Sequence, residues 1–249
     1  MTTARIVQLY PEELGVAGDR GNVLALSARL EAAGIHPDLV EHRVGDLLPE
    51  SADVVVIGGG PLSAMRTILD DLRSLEPALR RWLDEGVPVF AYGSGAELLS
   101  TRIDLLDGSA IDGLGVLPFT ARRVSKRTVG YAVVDSDLGR LVGFEDNASD
   151  WLLDAGAAPL GHVVSGDGNG DGREGMRAGA TVATQLGGPV LPLNPALTAV
   201  IVETVARRLG VEIATSATEG MQSTARLDDY AERAREVMIG NAEHVFSRI

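Results

Sequence analysis

Tyr92-Gly93-Ser94-Gly95-Ala96 stands between an apolar run and a helical one. A strand, a tight turn and a helix in that order make a nucleophile elbow, which holds one residue on a strained turn at a sheet edge. The apex here is Gly93, which has no side chain to attack with. Ser94 as a nucleophile needs Gly-x-Ser-x-Gly, and the position two before it is Tyr92. Gly58-Gly59-Gly60 also follows a strand and precedes a helix. A dinucleotide-binding turn needs a third glycine, and Met65 and its neighbours are not glycine. A tight turn with N–H groups aimed at the sheet edge suits an oxyanion hole instead, and Gly58, Gly59, Gly60 and Ser94 are its candidates. Asp167-Gly-Asn169-Gly-Asp171-Gly172 matches the first half of a calcium loop, but Ala178 stands where the bidentate glutamate is required. His36, His42, His162 and His244 form no spaced metal pair. There is no cysteine, which removes disulfides, thiolate metal sites and thiol nucleophiles together. No metal and no cofactor are expected.

The elements that must hold these turns alternate along the first half of the chain. Residues 5–10, 36–42, 53–57 and 89–92 read as strands, the last two fully apolar. A turn at 18–22 opens a helix through about residue 33, and a second helix runs from the triple glycine through residue 83. A third opens at residue 96. Short apolar strands separated by helices predict an α/β fold, with a largely parallel central sheet covered by helices on both faces. In the second half, residues 127–135 and 141–145 alternate like antiparallel strands. Residues 161–165 and 180–185 flank a polar glycine-rich loop and read as a hairpin. Helices at 195–209 and 227–246 close the chain. No low-complexity linker divides it, so residues 1–249 are expected to form a single domain.

Composition narrows the partners. The chain has 249 residues, 45% of them hydrophobic, and a net charge of −13. So acidic a surface repels phosphate backbones and anionic lipid, which argues against nucleic acid and membrane surfaces. No apolar run approaches the ~20 residues that span a bilayer, and the first ten residues read as a strand rather than a leader. A cytoplasmic protein, not integral to a membrane, is expected.

Six stretches occur together and in order: Leu9-Tyr10-Pro11, Gly18-Asp19-Arg20-Gly21-Asn22, Ile57-Gly58-Gly59-Gly60, Gly113-Leu114-Gly115, Val142-Gly143-Phe144-Glu145, and Gly188-Pro189-Val190-Leu191-Pro192-x-Asn194-Pro195. With them the chain resembles the amidotransferase subunit of lipid II isoglutaminyl synthase, among the cobyric-acid-synthase-like class I glutamine amidotransferases. The resemblance implies a flavodoxin-like amidotransferase fold. It also implies a subunit that hydrolyses glutamine and passes ammonia to a Mur-ligase-like, ATP-dependent partner amidating the D-glutamate of the peptidoglycan precursor.

The departures fall on the chemistry. The family elbow reads roughly Ile-Cys-Gly-Gly-Tyr-Gln, which places its cysteine at Gly93. The family histidine precedes Gly-Pro, which places it at Gly187 in Thr184-Gln185-Leu186-Gly187-Gly188-Pro189. A second family histidine, in Gly-Phe-Glu-Asn-His, falls on Asn147. The family's substrate-binding arginine falls on Arg127, which is retained. The mechanism needs a thiolate and a base beside it, and neither stands at these positions. The expected protein is therefore a subunit without glutaminase activity, not an enzyme by itself, forming a heterodimer with the Mur-ligase-like chain. Two alternatives stay open. One is an enzyme of altered chemistry using Ser94, Glu97 or Asp146 in the old pocket. The other is a stand-alone module that binds glutamine or another amino acid through Arg127.

Overall fold

Apolar runs with no polar alternation form strands buried on both faces. Val54–Ile57 and Val89–Tyr92 are such runs, and every residue in them is buried. The computed structural model describes residues 2–213, 219–245 and 247–248. In chain order its elements are β1 (Thr3–Leu9), α1 (Arg20–Ala32), β2 (His36–His42), β3 (Val54–Ile57), α2 (Leu62–Asp84), β4 (Val89–Tyr92), α3 (Gly93–Leu99), β5 (Arg102–Asp104), β6 (Ala110–Asp112), β7 (Phe119–Ser136), β8 (Gly139–Leu153), β9 (Gly161–Ser165), β10 (Arg173–Glu174), β11 (Met176–Ala178), β12 (Thr181–Thr184), α4 (Val190–Leu193), α5 (Pro195–Arg208), α6 (Glu219–Val245) and β13 (Ser247–Arg248).

Six strands form one sheet in the order β11-β12-β4-β3-β1-β2. All its pairings are parallel except β11 with β12. Alternate strand residues feed opposite faces, as the two-residue strand period requires. Ala4, Ile6, Val54, Val56, Phe90 and Val182 pack with Val23, Leu26 and Leu30 of α1 and with Leu197 and Ile201 of α5. Val7, Leu9, Val55, Ile57, Val89 and Ala91 pack with Met65, Ile68, Leu72 and Trp82 of α2. The expected parallel sheet, helix-covered on both faces, is what forms.

The second sheet is dominated by β7 and β8, an antiparallel ribbon with a register shift between Arg123 and Thr128. It runs well beyond the expected 127–135 and 141–145. The ribbon does not float free: Ala132, Val134 and Leu141 join the apolar cluster of α1 and α5.

The expected hairpin of 161–165 with 180–185 does not form. β9 pairs with β7 and β10, whereas β12 pairs with β4 in the parallel sheet. The burial patterns give the reason. β9 alternates between buried or half-buried and exposed positions, as a one-sided strand does, while all four residues of β12 are buried. The terminal helix starts earlier than residue 227, and Phe246, its expected end, lies outside the described residues. Among the described residues, no helix is long and apolar enough to cross a membrane.

Candidate functional site

Open α/β sheets place their sites beyond the carboxyl ends of the strands. β3 and β4 are adjacent and parallel, so the Gly58–Gly60 turn and the Gly93 elbow leave the sheet side by side. Gly93 has φ +51°, the left-handed conformation that glycine adopts without strain. A Cβ built on it meets nothing within 4 Å, so the elbow keeps room for a side chain it does not carry.

The triple glycine is dictated by crowding. A Cβ on Gly58 would lie 2.0 Å from the Leu14 carbonyl oxygen, and one on Gly60 would lie 2.4 Å from that of Glu13. Of the oxyanion candidates, Gly59, Gly60 and Ser94 are already engaged. The Gly60 N–H donates to Ser94 Oγ at 2.8 Å, and the same hydroxyl donates back to the Gly60 carbonyl at 2.8 Å. The Gly59 N–H points to Asp19 Oδ2 at 3.3 Å. Ser94 thus closes the turn onto itself, and no histidine lines the cleft beside it among the described residues. Asp19 is itself buried, and burial pushes its carboxyl up to about 6.

Gly187 is a position where a side chain would be crowded. Its N–H and carbonyl bridge those of Phe144 at 3.0 Å each, which pins the backbone. A Cβ here would lie 2.5 Å from the Tyr92 hydroxyl and 2.7 Å from the ring carbon Cζ. On the other side, a Cβ on Gly59 would lie 2.7 Å from Tyr92 Cε1. The Tyr92 ring is therefore held between two side-chain-free backbones and fills the place that the family resemblance gives to a histidine. Burial, with Asp19, Asp146 and Glu145 nearby, holds its phenol well above the ordinary range, so it stays protonated.

These groups line a cleft of about 630 Å³ between the parallel sheet and the ribbon. Arg127 lies on it, more than half exposed, and donates two bonds to Asp146, Nε to Oδ1 at 2.5 Å and Nη2 to Oδ2 at 2.8 Å. The fork is occupied by a carboxylate of the chain itself. Deeper in, Arg123 pairs with Glu97, whose side chain is only 3% exposed, and the Trp151 indole N–H reaches the second Glu97 oxygen at 3.5 Å. The lining thus carries two arginines and two carboxylates, each arginine matched to one carboxylate.

Sequence reasoning missed Tyr92 and Arg123 as cleft residues. The only local signal for Tyr92 was an aromatic directly before the elbow. Nothing local links Arg123 to Glu97, which are 26 residues apart. The half-matched calcium loop is a hydrogen-bonded turn. Asn169 exchanges two bonds with Gly175, Asp167 accepts from Thr128, and Asp171 pairs with Arg173. Among the described residues, no group of three histidines or carboxylates is placed to hold a metal ion.

Behind the cleft, Glu174 is fully buried. Its Oε1 accepts from Thr184 and from the Gln185 N–H, while Oε2 has no partner. Burial, with Glu145 nearby, pushes it up to about 7. A carboxyl raised on folding stabilises the fold while both states hold the proton, and that stability is lost as pH rises from its unfolded value through about 7. Glu174→Gln keeps the Oε1 acceptor and removes the ionisation. Urea unfolding at pH 5 and pH 8 is expected to show the wild type losing about 1–3 kcal/mol more than the variant over that interval. Asp19 titrates in both proteins and cancels.

A model of the CobB/CobQ-like glutamine amidotransferase domain matches residues 5–194. The chain is 28% identical over 242 residues to the lipid II isoglutaminyl synthase (glutamine-hydrolyzing) subunit GatD of Staphylococcus aureus strain N315, covering 95% of each chain. It is 27% identical over 234 residues to the same subunit of Streptococcus pneumoniae R6, covering 91% of this chain and 90% of that one. A crystal structure of a glutamine amidotransferase superposes with a TM-score of 0.57 at 22% identity, covering 80% of this chain and 98% of that one, which shows a shared fold. By the family model across most of its length, and by the elbow and triple-glycine turn at the edge of its parallel sheet, this chain belongs to the CobB/CobQ-like glutamine amidotransferase domain family.

Proposed function

We propose that this chain is an amidotransferase-like subunit of lipid II modification that has given up glutamine hydrolysis. In this role it serves as a noncatalytic partner of a Mur-ligase-like, ATP-dependent enzyme acting on the D-glutamate of the precursor. One observation carries the loss of chemistry: Tyr92 stands against Gly187 where the family histidine belongs, facing an elbow whose apex is Gly93. The full absence of cysteine supports it, because no other thiol can stand in. The Tyr92 ring and the triple-glycine turn are closely packed, which favours a maintained scaffold over a decaying enzyme. Similarity to the two GatD subunits across nine-tenths of the chain supports the partnership. The apolar cluster shared by both sheets supports one domain over the whole length.

The test is to purify the chain alone and co-expressed with a Mur-ligase-like protein from the same genome. Neither preparation is expected to release glutamate from glutamine. The two chains are expected to co-elute, and ligase turnover with supplied ammonium is expected to fall when this chain is omitted. Glutamate release above a heat-inactivated control refutes the loss of hydrolysis. Unchanged ligase turnover without this chain refutes the scaffold role.

A further inference from the structure

The last long helix, α6, lies beyond residues 5–194, which the family domain accounts for. Its inner face is fixed. Met238 and Ala242 pack with Val133 of β7 and Val142 of β8, Asp228 pairs with Arg29 of α1, and Arg235 donates to Asn194 Oδ1 at 2.8 Å. These anchors leave a second apolar stripe facing out. Leu227, Tyr230 and Val237 are 47%, 55% and 59% exposed, and Ala234 is half-buried between them. The steps from 227 to 230, 234, 237 and 241 alternate three and four, which is the a and d repeat of a helix-pairing seam. An outward seam of that kind is shaped to meet another helix, and Ala234 lets a facing backbone come close.

Charge decides the occupant. The e positions, on the side of the seam toward the body of the protein, are Ala231 and Met238, both buried. The g positions, on the open side, carry Arg226 and Arg233. Both arginines are exposed, and neither has an ion pair among the described residues. Arg233 lies over the Tyr230 ring, 4.7 Å from its centroid, so its charge sits at the seam itself. A second copy of this chain fits in neither orientation. Antiparallel, Arg226 and Arg233 would face the same two arginines; parallel, they would face Ala231 and Met238, already packed on the other copy's own body. An anionic membrane is also disfavoured. Asp229, Glu236 and Glu243 are exposed just beyond the arginines, and the chain carries −13 overall. Carboxylates on a facing helix are what this edge lacks.

We propose that the outer face of α6, with Leu227, Tyr230, Ala234 and Val237 along its seam and Arg226 and Arg233 on its open edge, is a docking surface for an acidic amphipathic helix of a partner protein. Apolar side chains of that helix cover the seam, and its glutamates or aspartates meet the two arginines. This goes beyond the partnership proposed above, and its test needs no ligase.

Two designed peptides provide the test. One carries leucine at a and d and glutamate at e and g, and its twin carries lysine in place of glutamate. Like charges on both flanks keep each peptide from pairing with itself. Each is titrated into the full chain and followed by the NMR amide shifts of α6. The acidic peptide is expected to bind at least about tenfold more tightly than its twin, the scale of two exposed ion pairs gained against two repulsions. That preference runs against the net charge of the chain and so reports the local edge. Arg226→Glu with Arg233→Glu is expected to invert the order of the two peptides. Val237→Asp is expected to weaken both while leaving the melting temperature near that of the wild type, because the position is exposed. No shift on α6 with the acidic peptide, or a preference unmoved by the charge reversal, overturns the proposal. A dimer seen by light scattering and lost in Val237→Asp gives the face to a second copy instead. Binding to vesicles of equal phosphatidylglycerol and phosphatidylcholine, lost in the same variant, gives it to a membrane; either result overturns the acidic-helix assignment.

Discussion

With Gly93→Cys and Gly187→His installed together, the chain is expected to release no glutamate from glutamine, and Tyr92→Ile is expected to be the change that first permits it. The elbow has room for the thiol, since a Cβ on Gly93 meets open space, but at φ +51° a cysteine there carries backbone strain. The histidine is different. Its Cβ starts 2.5 Å from the Tyr92 hydroxyl and 2.7 Å from the ring carbon Cζ, so the ring must shift to admit it. Forcing both side chains into one volume costs about 1–3 kcal/mol and leaves the imidazole out of line with the sulfur. A thiol without its base stays largely protonated near neutral pH. Positioned proton transfer supplies roughly 100- to 10,000-fold in rate, so the triple variant is expected to exceed the double by at least about 100-fold. Ser94 still occupies the Gly60 N–H in all of these proteins. Ser94→Gly is expected to add a further gain, because one oxyanion donor is worth about 100- to 1,000-fold. Glutamate release and urea unfolding, measured on the same four proteins, separate a catalytic block from a folding failure. Hydrolysis by the double variant would falsify the assignment of Tyr92 as the obstacle.

Arg123→Ala is expected to destabilise the chain by about 3–5 kcal/mol, more than any exposed arginine. Removing one partner of a buried ion pair strands the other charge, and the stranded charge sets the loss. Glu97 is 3% exposed and would keep only the long Trp151 contact. Arg122, one residue earlier, provides the control. It pairs with Asp150 on the outer face with its side chain 55% exposed, and Arg122→Ala is expected to cost less than about 1 kcal/mol. The Arg123→Ala loss is expected to shrink when Glu97→Leu is added, since an apolar pair leaves no charge to strand. Chemical unfolding of the three variants checks both the size and the sign of that coupling. Equal losses for Arg122→Ala and Arg123→Ala would show that burial of the pair does not matter.

The parallel sheet was legible because its signals are local. Val54–Ile57 and Val89–Tyr92 are unbroken apolar runs followed by glycine, and they form β3 and β4 as expected. The two turns of the site follow from them, since neighbouring parallel strands end on the same edge. β12 was misassigned because chain proximity to the glycine-rich loop suggested a hairpin. The strand is buried along its whole length as β3 is, but its two threonines break the apolar run by which β3 was identified. Tyr92 was illegible for a different reason. It fills space between residues 59 and 187, and no spacing rule joins positions so distant along the chain. Glu97 and Arg123 meet only because the ribbon folds over α3, so the electrical balance of the cleft exists in three dimensions alone.

The wedging of one ring between Gly59 and Gly187 also gives the history of such a site a direction. Any mutational path that adds a side chain at 187 while the tyrosine remains passes through an overpacked intermediate. A path that first shrinks residue 92 passes through a cavity instead, and the chain loses packing before a side chain at 187 can fill it. Both routes descend before they climb. The ring therefore acts as an epistatic ratchet. Once an aromatic has settled into the gap, reversal needs coordinated change at separate loops, while drift at the solvent-facing positions of the cleft stays open.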